Sequence, residues 1–271
     1  MKKRLLIGAL ILSIMMPVMP VHAGLFDGFL GWLQNTFSSF KQKRSKQKQA
    51  TQGSAVSESE LNRISSQVMP TYGTYDRSNK CWGKRCMSVN FANRIENHGD
   101  TLYYLLTSDE SADNYDMYVL RRNQNTYQII SKQAYKGLGF SGDGMFIQMG
   151  KDVYGWNIMT GDKGGAALYE DFYAVIDGKI RHVASIQDFW RSAPSNNTTI
   201  LTGDIQFGRG NEAMFPLDVT VSGTTGAKLS CGSCEPQGGA RFPKKVYRFQ
   251  YDSQTGRYQM PVDYPMKGQR F

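Results

Sequence analysis

From about residue 72 onward the chain is a succession of short β-rich runs separated by Gly, Asn and Asp, and this rhythm is the tightest constraint on how it can fold. Eleven runs stand out: Thr101–Leu106, Tyr115–Arg121, Thr126–Ser131, Met145–Met149, Val153–Met159, Ala167–Ile176, Ile180–Ile186, Thr199–Phe207, Leu217–Ser222, Lys245–Tyr251 and Tyr258–Pro261. Asp177-Gly178 joins Tyr173-Ala-Val-Ile to Lys179-Ile-Arg-His-Val, the strongest short-range hairpin signal in the sequence, because both residues tolerate the positive φ of a type I′ turn. Asn123-Gln-Asn and Asp252-Ser-Gln-Thr-Gly mark two further hairpins of the same style. Their recurrence hints at a degenerate repeat, as in propeller blades, although the spacing is uneven and a plain antiparallel sandwich or meander accounts for it equally well. The fold class expected is all-β: a sandwich, a meander or a partial propeller, preceded by an N-terminal amphipathic helix.

The start of the chain is organised differently. Lys2-Lys3-Arg4, an apolar run from Leu5 to Met19 and Val21-His22-Ala23 read in order as a cleavable export signal over residues 1–23. The apolar run is shorter than the ~20 residues a bilayer-spanning helix needs, and Pro17 and Pro20 interrupt its end. Export by such a signal implies a bacterial periplasm.

Residues 24–40 form the most legible local pattern. On a helical wheel Leu25, Phe26, Phe29, Leu30, Trp32, Leu33, Phe37 and Phe40 gather on one arc, opposite Asp27, Gln34, Asn35, Ser38 and Ser39. Lys41, Lys43, Arg44, Lys46 and Lys48 follow at once, the sign favoured at a helix C-terminus. Gly28 and Gly31 weaken an isolated helix, so this one needs a surface to form on. An aromatic face with a basic tail is the combination that binds anionic bilayers. The segment resembles membrane-active peptides beginning Gly-Leu-Phe, over about 17 residues, a likeness of physics and not of ancestry. Residues 41–58, rich in Lys, Gln, Ser and Ala, are expected to form a flexible basic linker. A short helix is expected from Ser59 to Val68, with Ser57 and Glu60 at capping-box spacing and Leu61, Ile64 and Val68 on one side. The globular domain then spans residues 59–271.

Charge divides unevenly. Of the total +9, residues 1–23 carry +3, residues 24–50 carry +4 and residues 51–271 carry +2, so the domain is nearly neutral and a nucleic-acid partner is not expected. Four cysteines lie in two close pairs, Cys81/Cys86 and Cys231/Cys234. In an oxidising compartment three pairings are possible; the two local ones are favoured because Gly83 and Gly232 let each loop turn back on itself.

Motifs that carry chemistry are sparse. Cys231-Gly-Ser-Cys234 has dithiol spacing but neither the strand nor the following helix that activates a thiolate, and four-cysteine zinc binding fits poorly with oxidation. His182 lies in an expected strand and reads as a structural histidine; His98 lies in a turn. The acidic stretch from Asp109 to Asp116 lacks the spacing of an EF-hand loop, and the loop beginning Thr160-Gly161 lacks that of a phosphate cradle. Abundant tyrosines could line a groove for glycan or peptide, or pack a sheet. No catalytic, cofactor or metal residue is singled out. The reading is an exported, periplasmic, peripherally membrane-attached accessory or binding module whose partner is an anionic membrane surface or an envelope protein. A carboxylate-based hydrolase of envelope glycan or peptide is the second reading. An inhibitor or immunity-type protein using the Cys81–Cys86 loop is the third.

Overall fold

The computed structural model describes residues 54–97, 99–109, 114–136, 140–161, 166–192, 197–229 and 237–267. The export signal, the amphipathic segment and its five cations, residues 41–53, His98 and the Cys231/Cys234 pair lie outside the described residues.

The described residues form an all-β body built as two successive meanders, with one short α-helix among them. Strand β1 (Ser54–Ala55) precedes helix α1 (Glu58–Val68) and a 3-10 turn (Met69–Tyr72). A small hairpin follows, β2 (Tyr75–Asp76) and β3 (Cys81–Trp82). The first meander is β4 (Ser88–Asn97), β5 (Asp100–Ser108), β6 (Asn114–Asn123) and β7 (Thr126–Lys136), with β1 added at its edge in the order β1-β4-β5-β6-β7. The second is β8 (Phe140–Gln148), β9 (Tyr154–Gly161), β10 (Ala167–Ile176), β11 (Lys179–Arg191), β12 (Thr198–Phe207), β13 (Leu217–Ala227), β14 (Ala240–Asp252) and β15 (Arg257–Gln259), each pairing with its sequence neighbour. All pairings are antiparallel. The three hairpins join neighbours within these two sheets and do not define blades.

Local chemistry explains the turns. Ile176 pairs with Lys179, and Asp177 and Gly178 adopt φ of 52° and 70° between them, the conformation that Asp-Gly tolerates best. Asn123 pairs with Thr126, and Asp252 with Arg257.

The layers follow from which faces are apolar. On β5 and β6, Tyr103, Leu105, Tyr118 and Leu120 face α1, whose Ile64 and Val68 pack on them. The opposite face carries Tyr104, Leu106, Tyr115, Met117 and Val119, which meet Tyr154, Trp156, Ile158, Tyr173 and Val175 from β9 and β10. Strands buried on both faces read as continuous apolar runs rather than alternating ones, as β5, β6, β9 and β10 do. The far face of the larger sheet folds around its own core, where Phe172, Val183, Leu201, Leu217, Val219 and Phe249 meet. Tyr258 and Tyr264 close that roll: the Tyr258 hydroxyl donates to Phe215 O at 2.7 Å and the Tyr264 hydroxyl to Gln187 O at 2.7 Å.

Several elements differ from expectation: β7, β8, β11, β13 and β14 extend past the runs expected for them, and β2 and β3 had no counterpart among those runs. Ser54 and Ala55 pair with Arg94 and Asn93, so the sheet begins inside the stretch expected to be linker. Backbone pairing at an edge needs no apolar side chains, which is why composition missed it. Strand β4 was not anticipated either. A bulge between Val89 and Phe91 shifts its phase, and Asn90, Asn93, Arg94 and Glu96 dilute its pattern, yet Phe91 and Ile95 face the inter-sheet core while Val89 and Ala92 face α1.

Candidate functional site

Helix α1 begins as its sequence requires. Ser57 caps it by accepting from Glu60 N at 3.3 Å. The Glu60 side chain does not complete the expected capping box. It turns inward, where its Oε1 accepts from the Tyr103 hydroxyl at 2.6 Å and the Tyr127 hydroxyl at 3.2 Å, with Arg122 at 3.7 Å. Burial, followed by the Glu60 bond, pushes the Tyr103 hydroxyl up to about 12.

A second polar clamp grips the other end of the helical segment. The Tyr72 hydroxyl donates to Asp116 Oδ2 at 2.5 Å and contacts the hydroxyls of Thr107, at 3.1 Å, and Tyr118. Lys132 Nζ lies 3.0 Å from the same carboxylate and over the rings of Tyr72 and Tyr118. Burial works against the Lys132 charge, but the bonds to Tyr118 and Asp116 prevail and raise its pKa; burial raises that of Tyr72 strongly. Asp116 thus belongs to this clamp, while Asp109 accepts from Asn114, so these two ends of the acidic stretch face different partners.

Between α1 and the small hairpin runs a surface groove of ≈ 370 Å³. Its walls are Asn62, Ser65 and Ser66 of α1, Met69 of the 3-10 turn, Tyr75, Lys80 and Trp82 of the hairpin, and Ser88 and Val89 of β4. The hairpin exists because the chain is fastened at three points. Cys81 and Cys86 are joined by a disulfide, with Cα atoms 4.8 Å apart, as the local pairing predicted. Trp82 and Met87 exchange backbone hydrogen bonds of 2.9 Å in both directions. Gly83 N donates to Thr74 O at 3.0 Å, and a Cβ on Gly83 would stand 2.0 Å from Tyr72 O. Gly83 also has φ 67°, so no other residue fits there without moving the backbone. The loop is therefore laid back against Tyr72–Thr74 rather than projecting.

Tyr75 is 46 % exposed, and its ring centroid lies 5.1 Å from that of Trp82 with the planes tilted by 51°. Asp76 accepts from Ser78 N at 2.8 Å and from Asn79 Nδ2 at 2.8 Å; the Asn79 bond, then the backbone ones, hold its pKa below the usual carboxylate range. Among the described residues, Arg77, Lys80, Lys84 and Arg85 make no ion pair, and all four are exposed. The groove combines ring faces, hydroxyls, an amide and a cation; none of its walls is a carboxylate.

A third polar assembly lies in the seam between the sheets. Asp171 Oδ2 accepts from the Tyr135 hydroxyl at 3.0 Å and from Thr160 Oγ1 at 3.4 Å. His182 Nε2 stands 3.5 Å from Asp171 Oδ1 and, like Ser185 Oγ, is buried with no hydrogen-bond partner among the described residues. Across β10 and β11, Ser185 pairs with Asp171 and His182 with Tyr173. Ser, His and Asp thus share one face without the hydrogen-bond chain that makes a nucleophile. His182 lies in a strand, as expected, but its Nε2 is not the satisfied nitrogen expected of a structural histidine. Glu170, next to Asp171 in sequence, points to the other face and accepts from Asn157.

Sequence reading named neither Tyr75, Trp82 and Lys80 as a groove nor Asp171 as the centre of the seam. The signal for the groove was the aromatic and cationic density around Cys81–Cys86; for the seam there was none, since it gathers four strands. Among the described residues no cluster of side chains has metal-ligating geometry, and no helix is long and apolar enough to cross a membrane. Comparison of the chain with protein-family models, with curated proteins and with solved structures found no match.

Proposed function

We propose that this protein is an exported envelope protein that attaches peripherally to a membrane by its N-terminal amphipathic segment and uses its β body as a binding module. The observation that carries the binding role is the groove beside α1: exposed Tyr75 and half-buried Trp82 meet at an open angle, on a hairpin fixed by the Cys81–Cys86 disulfide. A concave site with aromatic walls and a few polar groups is the common form of a ligand site. A disulfide is suited to the oxidising periplasm that the export signal implies. Attachment is supported by the arc of Leu25, Phe26, Phe29, Leu30, Trp32, Leu33, Phe37 and Phe40, followed by Lys41, Lys43, Arg44, Lys46 and Lys48.

Envelope fractionation of cells expressing the full chain or a chain lacking Leu25–Lys48 tests this. The full chain should sediment with membranes and the deleted chain should become soluble with its thermal transition retained. Equal sedimentation of the two rules out the tether.

A further inference from the structure

We infer that the groove between α1 and the disulfide hairpin is a subsite for an acidic glycan, an assignment that rests on the binding-module reading above. The ring geometry comes first. Tyr75 and Trp82, tilted at 51° with centroids 5.1 Å apart, form a corner and not a closed stack, which leaves apolar ring surface facing the groove. Such surface suits the C–H face of a pyranose, and the Trp82 backbone is held to buried Met87 by bonds in both directions.

The other walls supply the complementary half. Asn62, Ser65 and Ser88 present amide and hydroxyl groups able to donate and accept, and Ser66, whose hydroxyl donates to Arg63 O at 2.8 Å, adds an acceptor, within one small site. Sugar hydroxyls need that dual capacity. A volume of ≈ 370 Å³ admits a short stretch of oligosaccharide and not a folded partner.

Charge then selects among glycans. The hairpin from Tyr75 to Cys86 carries Arg77, Lys80, Lys84 and Arg85 against Asp76, a net +3, whereas the whole of residues 51–271 carries only +2. The rest of the body is therefore slightly acidic, and the hairpin is its positive pole. Asp76 is engaged by Ser78 and Asn79, and the four cations have no carboxylate partner among the described residues. Lys80 lines the groove itself. Carboxylate-bearing sugars answer this field; neutral ones leave it unused. An anionic bilayer answers it too, but interfacial insertion needs apolar groups at a projecting tip, and here Trp82 is recessed while the loop tip is Gly83-Lys84-Arg85.

The test uses the mature full chain and isothermal titration against tetragalacturonate, neutral chitotetraose and phosphatidylglycerol/phosphatidylethanolamine vesicles. Tetragalacturonate should bind at least about tenfold more tightly than chitotetraose, and more weakly as salt rises. Trp82→Ala and, as an exposed second variant, Tyr75→Ala should each weaken it about tenfold, and Lys80→Gln with Lys84→Gln should flatten the salt dependence. Vesicle binding through the N-terminal segment should be unchanged in all of them. Binding of neither sugar, equal binding of both, or affinity indifferent to both aromatic variants overturns the assignment. Vesicle binding lost in the hairpin variants overturns it in favour of a second bilayer contact. Failure of the Leu25–Lys48 deletion to release the protein from membranes would instead overturn the tether and leave this result standing.

Discussion

The groove beside α1 and the seam around Asp171 draw on the same side-chain types, tyrosine, serine and charge, and differ in what encloses them. In the seam two sheets close over Asp171, Tyr135 and Thr160, and His182 Nε2 stands 3.5 Å from the carboxylate. In the groove one wall is open to water, and the cations of the hairpin are exposed and make no ion pair among the described residues. Asp171, Tyr135 and Thr160, closed off from solvent, satisfy one another and so serve the fold, while His182 Nε2 and Ser185 Oγ stay without a hydrogen-bond partner among the described residues. Polar groups left open serve recognition. This difference is why the assembly that looks most like chemistry, with Ser, His and Asp on one face, carries less functional weight than a groove with no carboxylate.

The comparison is broken most forcefully by alkali. Tyr103 ionises ordinarily near 10.0 and is pushed up to about 12 in the folded protein by burial and by its bond to Glu60; burial also raises Tyr104 and Tyr173 in the inter-sheet core. Below pH ~10 both folded and unfolded states hold the Tyr103 proton and its contribution is complete; between ~10 and ~12 the unfolded state binds fewer protons, so stability falls as pH rises. The urea midpoint should drop steeply across that window. A midpoint flat to pH 12 would show the tyrosines to be far more accessible than their burial indicates.

Next in size is Asp171→Ala, which strips Tyr135 and Thr160 of their shared acceptor. It should cost about 2–3 kcal/mol in chemical denaturation while leaving groove binding intact. A change in affinity at unchanged stability would reverse the roles assigned to seam and groove. Ser57→Ala, which removes the cap of α1, should cost about 1 kcal/mol. Because α1 forms a groove wall, a modest loss of ligand affinity should accompany it. Smallest in stability is Tyr75→Ala, within about 0.5 kcal/mol by thermal melting, with its effect confined to binding. A large drop in melting temperature would place Tyr75 in the framework and not in a ligand wall.

The eleven β-rich runs each overlap a strand of the structure, and the Asp177-Gly178 turn forms where it was read. Alternation and turn chemistry are local, so a window of a few residues contains them. Strand β4 escaped because a bulge and four polar residues hide its period, and β1 because edge pairing is a backbone property. Leu61, Ile64 and Val68 were legible as one side of α1, whereas the inward turn of Glu60 was not: its partners, Tyr103 and Tyr127, are 43 and 67 residues away. The groove was half legible, since Cys81-Trp-Gly-Lys-Arg-Cys86 announced a tight cationic loop but not the helix it would lean on.

By itself the sequence determined the all-β class, the positions of the three hairpins and the short helix capped by Ser57, and it favoured the local Cys81–Cys86 bridge, all set by interactions within a few residues. Only the tertiary structure decided that the meanders stack face to face, that the larger one rolls around Phe172 and Leu217, and that Tyr75 and Trp82 meet α1 across a groove. Those outcomes depend on the shapes of surfaces brought together from distant parts of the chain, and the free energy of burying such surfaces is a property of the pair and never of either segment alone.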